Sequence, residues 1–256
     1  DLLIDGDATF QSILEGIDQA QSYVLVQFYI VRDDGLGRAL KDRLIAKAKE
    51  GLRVYFLYDE IGSHGLAESY KRELREAGVD IREFNTRKGR RNRFQLNFRN
   101  HRKIVVTDGR VAWIGGHNVG DEYLGMDPKF GHWRDTHVKI NWPVAKAFQF
   151  CFIEYWNWAT SRIPDLDWQL TPSPGGTEEA LVMASGPADM LETCGLMFVQ
   201  VINMAKERIW IASPYFVPDL QVLSALKLAV LRGVDVRILL PEKADHRTVH
   251  LASFSY

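Results

Sequence analysis

In the stretch NHRKIVVTDG, residues 100–109, a histidine and a lysine stand two positions apart at the head of an apolar run. Side chains of an extended segment alternate between faces, so His101 and Lys103 project one way while Arg102 and Ile104 project the other. A base and a fixed cation thereby share one face, a pairing suited to proton transfer or nucleophilic attack beside developing negative charge. Ile104, Val105 and Val106 have the β-branched composition of a buried strand, and Asp108-Gly109 followed by Val111 to Ile114 reads as a hairpin. Asp108 sits at the turn, out of phase with the pair. Taken alone, His-x-Lys also suits a half-buried histidine, a lysine reaching to solvent and a plain turn aspartate.

The elements that must hold the pair alternate between strand and helix. Residues 23–31 form a near-continuous apolar strand, 36–49 have helical spacing, 52–58 are strand, 68–77 helix and 79–84 strand. A βαβ rhythm predicts an α/β fold with a mixed, mainly parallel sheet flanked by helices. A further strand is expected over 136–140 and a long aromatic helix over 143–160. The Pro-, Gly- and acid-rich stretch 162–178 reads as a linker between a first half, 1–161, and a second region, 179–256.

The second region repeats the first. AQSYVLVQFYIVRDD (20–34) aligns with AKERIWIASPYFVPD (205–219), and GLRVYFLYDE (51–60) with GVDVRILLPE (233–242), which argues for an internal duplication. The sequence stops at Tyr256, before a second His-Lys pair is due, so the second copy is expected to be incomplete in this chain.

Composition sets wide bounds. The chain has 256 residues and a net charge of −1, so it can bury a large core and any electrostatic attraction must be local. Cys151 and Cys194 have no metal-ligand spacing and are expected to be buried free thiols. No apolar run is long enough to span a bilayer, which makes any membrane role of this stretch peripheral or dependent on an anchor elsewhere.

HRKIVVTD followed by Ile114-Gly115-Gly116-His117-Asn118 resembles the HxKxxxxD and Gly-Gly-x-Asn signature of the phospholipase D superfamily. NHRKIVVTDGRVAWIGGHNVGDEYLG, WRDTHVKI and SPYFVPD resemble its bacterial cardiolipin synthase branch, and the similarity runs through nearly the whole chain. The resemblance implies a duplicated phospholipase D-like fold and a catalytic set of His101, Lys103, Asp108 and Asp135. In it one histidine forms a phosphohistidine and Lys103 holds a phosphoryl oxygen. It assigns to Asp135 the orienting of the imidazole, leaving Asp108 mainly to fix the turn. Gly115, Gly116 and Asn118 would bind the phosphoryl group, with Tyr29 and Tyr215 facing the site from the two halves. Glu122 is a weaker candidate carboxylate. His117, His132 and His137 fit no common zinc spacing, and neither metal nor cofactor is expected.

The segment 85–103 carries Arg87, Lys88, Arg90, Arg91, Arg93, Arg99, Arg102 and Lys103 with no acidic residue, interleaved with Phe94, Leu96 and Phe98. It reads as a solvated loop or as a binder of anionic headgroups, and less readily as a single-stranded nucleic-acid surface. The expected partners are anionic phospholipids such as phosphatidylglycerol, a membrane surface at the bacterial inner membrane, and a missing C-terminal half or second chain that supplies the other motif. This chain alone is expected to be nearly inactive. The function so implied is phosphatidyl transfer of the cardiolipin synthase type. Its rivals are a phospholipase or nuclease of the same chemistry, and an inactive lipid- or nucleic-acid-binding module.

Overall fold

The structure, a computed structural model, describes residues 1–84, 100–170, 176, 178–186 and 189–241. The chain divides into two compact units, Asp1–Ala184 and Ser185–Tyr256.

The first unit is built on a seven-stranded sheet in the order β1-β7-β6-β5-β2-β3-β4. Its strands are β1 (Leu2–Ile4), β2 (Tyr23–Phe28), β3 (Arg53–Asp59), β4 (Asp80–Phe84), β5 (Ile104–Thr107), β6 (Val111–Gly115) and β7 (Thr136–Asn141). The helices are α1 (Asp5–Asp18), α2 (Gly35–Lys49), α3 (Glu68–Glu76) and α4 (Ala145–Thr160). β1, β2, β3, β4 and β6 run one way, and β5 and β7 run the other. The sheet is therefore mixed, and its parallel pairings lie at β2–β3 and β3–β4. The reason is connection length. α2 and α3 are long enough to carry the chain back for parallel pairing, whereas the Asp108-Gly109 turn can only return it antiparallel. β1 and α1 have no counterpart among the sequence expectations.

Strand alternation sends side chains to two cores. Val24, Val26, Phe28, Val54, Phe56, Val105 and Trp113 pack with α1, α2 and α3 residues such as Ile13, Leu40 and Leu74 on one face. Tyr23, Leu25, Leu57, Ile104, Val106 and Ala112 pack with Phe148, Phe152 and Trp156 of α4 on the other. The aromatic helix thus covers its own sheet. Leu166 joins that second core, and the Asp167 carbonyl accepts from Gln149 Nε2 at 2.9 Å, so this part of the expected linker lies against the first unit. Cys151 is buried and Cys194 exposed, both as free thiols. The exposure of Cys194 differs from expectation because α5 (Thr193–Met204) buries little of its surface.

The second unit adds β8 (Arg208–Ala212), α6 (Leu220–Leu231) and β9 (Asp235–Leu239) to α5, with β8 and β9 paired in parallel. Its core is Ile202, Ala225, Leu226, Ala229 and Val234. The register reproduces the first unit: Tyr23 lies opposite Arg53 in β2–β3, and their aligned residues Arg208 and Asp235 lie opposite each other in β8–β9. Asp34 and its aligned residue Asp219 both cap a helix by accepting from the backbone three residues on, at 3.0 and 2.7 Å. Gly51 and Gly233 both end that helix with a positive φ, 93° and 86°, which suits glycine.

Candidate active site

β2 and β5 are antiparallel neighbours, which brings the C-terminal end of β2 beside the segment leading into β5. Regular pairing of β5 begins at Ile104, after the His-Lys pair rather than through it. The alternation nevertheless continues outward. The exposed His101 ring stacks on Tyr29, with centroids 3.8 Å apart and planes 21° from parallel. Lys103 Nζ lies 5.6 Å from the centroid of the same Tyr29 ring. Arg102 points the other way and lays its guanidinium 4.2 Å from the centroid of Tyr155 on α4. The shared face read from sequence is therefore present, and Tyr29 is its floor.

Lys103 donates to the His101 carbonyl at 2.5 Å. Its burial lowers the ammonium pKa to about 8, a shift that the Asp135 charge opposes. Extending the β5–β6 register by one step sets Lys103 opposite Gly115, and Gly115 in turn lies opposite His137 of β7.

This row explains the glycine pair. A Cβ on Gly115 would lie 2.4 Å from His137 Nδ1, and one on Gly116 would lie 2.1 Å from Asp135 Oδ1. The two glycines make room for His137 of β7 and for Asp135 just before it, and so act as spacers. Asp135 Oδ1 accepts the Thr136 N–H at 2.7 Å and Oδ2 the Trp133 indole N–H at 3.4 Å. Asn118 is buried; its Oδ1 accepts the Ile30 N–H at 3.0 Å, and Nδ2 donates to the Tyr123 hydroxyl at 3.2 Å. The Tyr123 hydroxyl thus takes one of the two amide protons of Asn118. His117 and His137 are buried with their Nδ1 atoms 3.2 Å apart. Burial lowers both, His137 to about 3.

Asp108, Glu122 and His132 are each engaged by other partners. Asp108 is at the other end of β5 from His101. Its carboxylate accepts the N–H groups of Gln21, Ser22 and Tyr23 at 2.9, 2.7 and 3.0 Å, which anchors the start of β2. Glu122 pairs with Arg32 at 3.5 Å, and His132 with Asp5 at 2.9 Å. Tyr215 belongs to the second unit, where its N–H donates to Ser213 Oγ at 3.3 Å. Arg87, Lys88, Arg90 and Arg91 lie outside the described residues. Among the described residues no group of three or more His, Cys, Asp or Glu is arranged to hold a metal, and no helix is long and apolar enough to cross a membrane.

Sequence reasoning missed a buried polar group behind the pair. Gln27, Asp59 and Asn100 are all at most 2 % exposed. Gln27 Nε2 donates to Asn100 Oδ1 at 2.7 Å, and the Asn100 N–H to Asp59 Oδ2 at 3.2 Å. The available signal was Gln27 itself, a polar residue inside the apolar strand YVLVQF.

Residues 13–130 and 198–256 match the family model described as cardiolipin synthase, PLD-like domain. Cardiolipin synthase A of Pseudomonas putida (strain GB-1) is 56% identical over 254 residues, covering 98% of this chain and 52% of the relative. The protein of the same name from Pseudomonas aeruginosa (strain LESB58) is 52% identical over 257 residues, covering 100% of this chain and 52% of the relative. The chain spans about half the length of the curated relatives it matches. In fold it is similar to the crystal structure of phosphatidylserine synthase from Haemophilus influenzae Rd KW20, with a TM-score of 0.65 at 16% identity over 98% of this chain and 66% of the other. With the family model matched on both sides of residues 131–197, over more than half of the chain, the chain belongs to the cardiolipin synthase, PLD-like domain family.

Proposed function

We propose that this chain carries one catalytic half of a phosphatidyltransferase that makes cardiolipin from two molecules of phosphatidylglycerol. The observation that carries the reading is the similarity, over 98% of the chain, to proteins named cardiolipin synthase A. The stacked His101 beside Lys103 supplies groups of the right kind. In the proposed reaction an imidazole nitrogen attacks the phosphorus of one phosphatidylglycerol, a P–N bond forms, and the P–O bond to glycerol breaks. A general acid protonates the departing glycerol alkoxide. The hydroxyl of a second phosphatidylglycerol then attacks the phosphohistidine, passes its proton to the deprotonated general acid, forms the new P–O bond as the P–N bond breaks, and regenerates the imidazole. Lys103 and the other amide proton of Asn118 hold non-bridging oxygens, and Asp135 orients the imidazole.

A second histidine is required by this scheme. We assign it to another phospholipase D-like half, of which residues 185–256 would be the opening, or to a second chain. Exposure of His101 suits either role, nucleophile or acid. Residues 85–99, rich in Arg and Lys, are proposed to hold the anionic membrane surface, each basic side chain contributing about 1 kcal/mol near the leaflet.

The test supplies labelled phosphatidylglycerol to an enzyme containing this chain together with its second motif. Formation of cardiolipin with release of glycerol supports the reading, and mapping of the trapped phosphohistidine to His101 names it as nucleophile. Cleavage of single-stranded DNA without cardiolipin formation would replace it with a nuclease. Vesicles containing phosphatidylglycerol should bind less tightly as salt rises, and replacing Arg87, Lys88, Arg90, Arg91 and Arg93 with Ser should weaken that binding. Unchanged binding in that variant removes the segment from the reading.

A further inference from the structure

Asp59 ends β3, is 1 % exposed, and reaches two parts of the site at once. Its Oδ2 accepts the N–H of Asn100, the residue before His101, at 3.2 Å. Its Oδ1 accepts the N–H groups of Ile61 and Gly62 at 2.9 and 3.0 Å, which folds the chain after β3 into a tight turn. That turn grips Tyr29. Ser63 Oγ donates to the Tyr29 carbonyl at 3.0 Å and accepts the Val31 N–H at 3.0 Å. Gly62 packs so closely that a Cβ there would lie 2.2 Å from the Tyr29 carbonyl oxygen. The two rings that stack at 3.8 Å are therefore both suspended from one carboxylate.

We infer that Asp59 is a positioning residue that sets the His101–Tyr29 stack by holding the Asn100 backbone with one oxygen and the turn under Tyr29 with the other. A buried carboxyl group is costly unless hydrogen-bonded, and here three backbone N–H groups satisfy it. The chemistry is specific to a carboxylate. An Asn amide has one acceptor oxygen, so in its place an NH₂ group would meet the N–H of one of the two segments, donor against donor. The inference builds on the proposed role of His101, but its main readout is geometry and requires no turnover.

The experiment uses the 256-residue chain with ¹³C-labelled histidine. The ring proton of His101, assigned with a His101→Gln variant, should be displaced upfield by the Tyr29 ring, and a Tyr29→Leu control should abolish the displacement. Asp59→Asn should remove more than half of it while the melt stays cooperative, and Gly62→Ala should do the same from the Tyr29 side. An unchanged His101 resonance in folded Asp59→Asn overturns the inference. If Asp59→Asn does not fold, amide exchange in the wild-type chain decides. Asn100 N–H should exchange at least about 100-fold more slowly than an open-chain amide, and open-chain exchange overturns the inference. In the active enzyme Asp59→Asn should lower kcat by about 100-fold and leave KM nearly unchanged, as expected of misplacement rather than lost binding. An enzyme that makes no cardiolipin at all would defeat the proposed function and leave the resonance result standing.

Discussion

The β2–α2–β3 region of the first unit and the β8–α6–β9 region of the second are the same piece of structure in different surroundings. Register, capping aspartate and terminating glycine coincide position by position. Burial does not. Every residue of β2 is buried, whereas Arg208, Trp210 and Ala212 of β8 are exposed. At aligned positions Leu25 is 0% exposed and Trp210 61%. The difference teaches that a βαβ unit can be specified locally, while the covering of its faces and the chemistry at its end depend on what is added. In the first unit the additions are β5, β6 and β7 beside β2 and α4 across one face. Those strands also carry or introduce the proposed reacting groups, so the candidate site lies where the added antiparallel half meets the parallel half.

The largest expected effect tests that division. Replacing His101 or Lys103 with Ala in the active enzyme should lower turnover by about a thousandfold while leaving the chain folded, because both groups stand at the end of the sheet rather than in either core. Asp135→Asn should be milder than either. Normal turnover in both His101→Ala and Lys103→Ala would detach the chemistry from the added strands. The comparison itself is tested by truncating aligned side chains. Leu25→Ala should cost about 2–5 kcal/mol in urea denaturation. Trp210→Ala should cost under about 1 kcal/mol despite the larger side chain removed. Equal losses would show that the second region is as well covered as the first.

The next effect is one of pH. In the proposed mechanism Lys103 must stay protonated to hold a phosphoryl oxygen, and burial lowers its pKa to about 8. A rise in pH removes the cation, so kcat/KM should fall tenfold per pH unit above about 8. Bound anionic substrate favours the ammonium, so the corresponding limb of kcat should lie at higher pH. Lys103→Arg should abolish the limb, since a guanidinium stays charged. Smallest are the caps, where both regions ought to lose stability. Asp219→Ala should destabilise α6 by about 1 kcal/mol, read by amide exchange. Asp34→Ala should cost more in α2, because Asp34 also accepts the Asp121 N–H at 2.8 Å. A harmless Asp34→Ala would break the correspondence at its most local point.

Much of this protein follows from the sequence alone. The apolar runs, the capping aspartates and the terminating glycines are local signals, and they place β2, α2, β3, α3 and β4 within a few residues of where they fold. The shared face of His101 and Lys103 is a consequence of alternation and holds even where regular pairing has ended. The Asp108 motif position was legible as a turn for the same reason, since a positive φ of 54° suits a short polar residue. What only the tertiary structure decided is which distant groups meet. The Gly115-Gly116 pair reads in sequence as part of a phosphoryl-binding signature, and the structure shows it as a clearance for His137 and Asp135 once β6 lies against β7. Asp59 carries no motif, and its role emerges because β3 ends where the chain returns at Asn100, forty-one residues later. Alternation and capping are set by neighbours in the chain, within the reach of one turn or one pleat. Contacts between strands depend on packing, and packing is fixed by the whole sheet closing around its two cores.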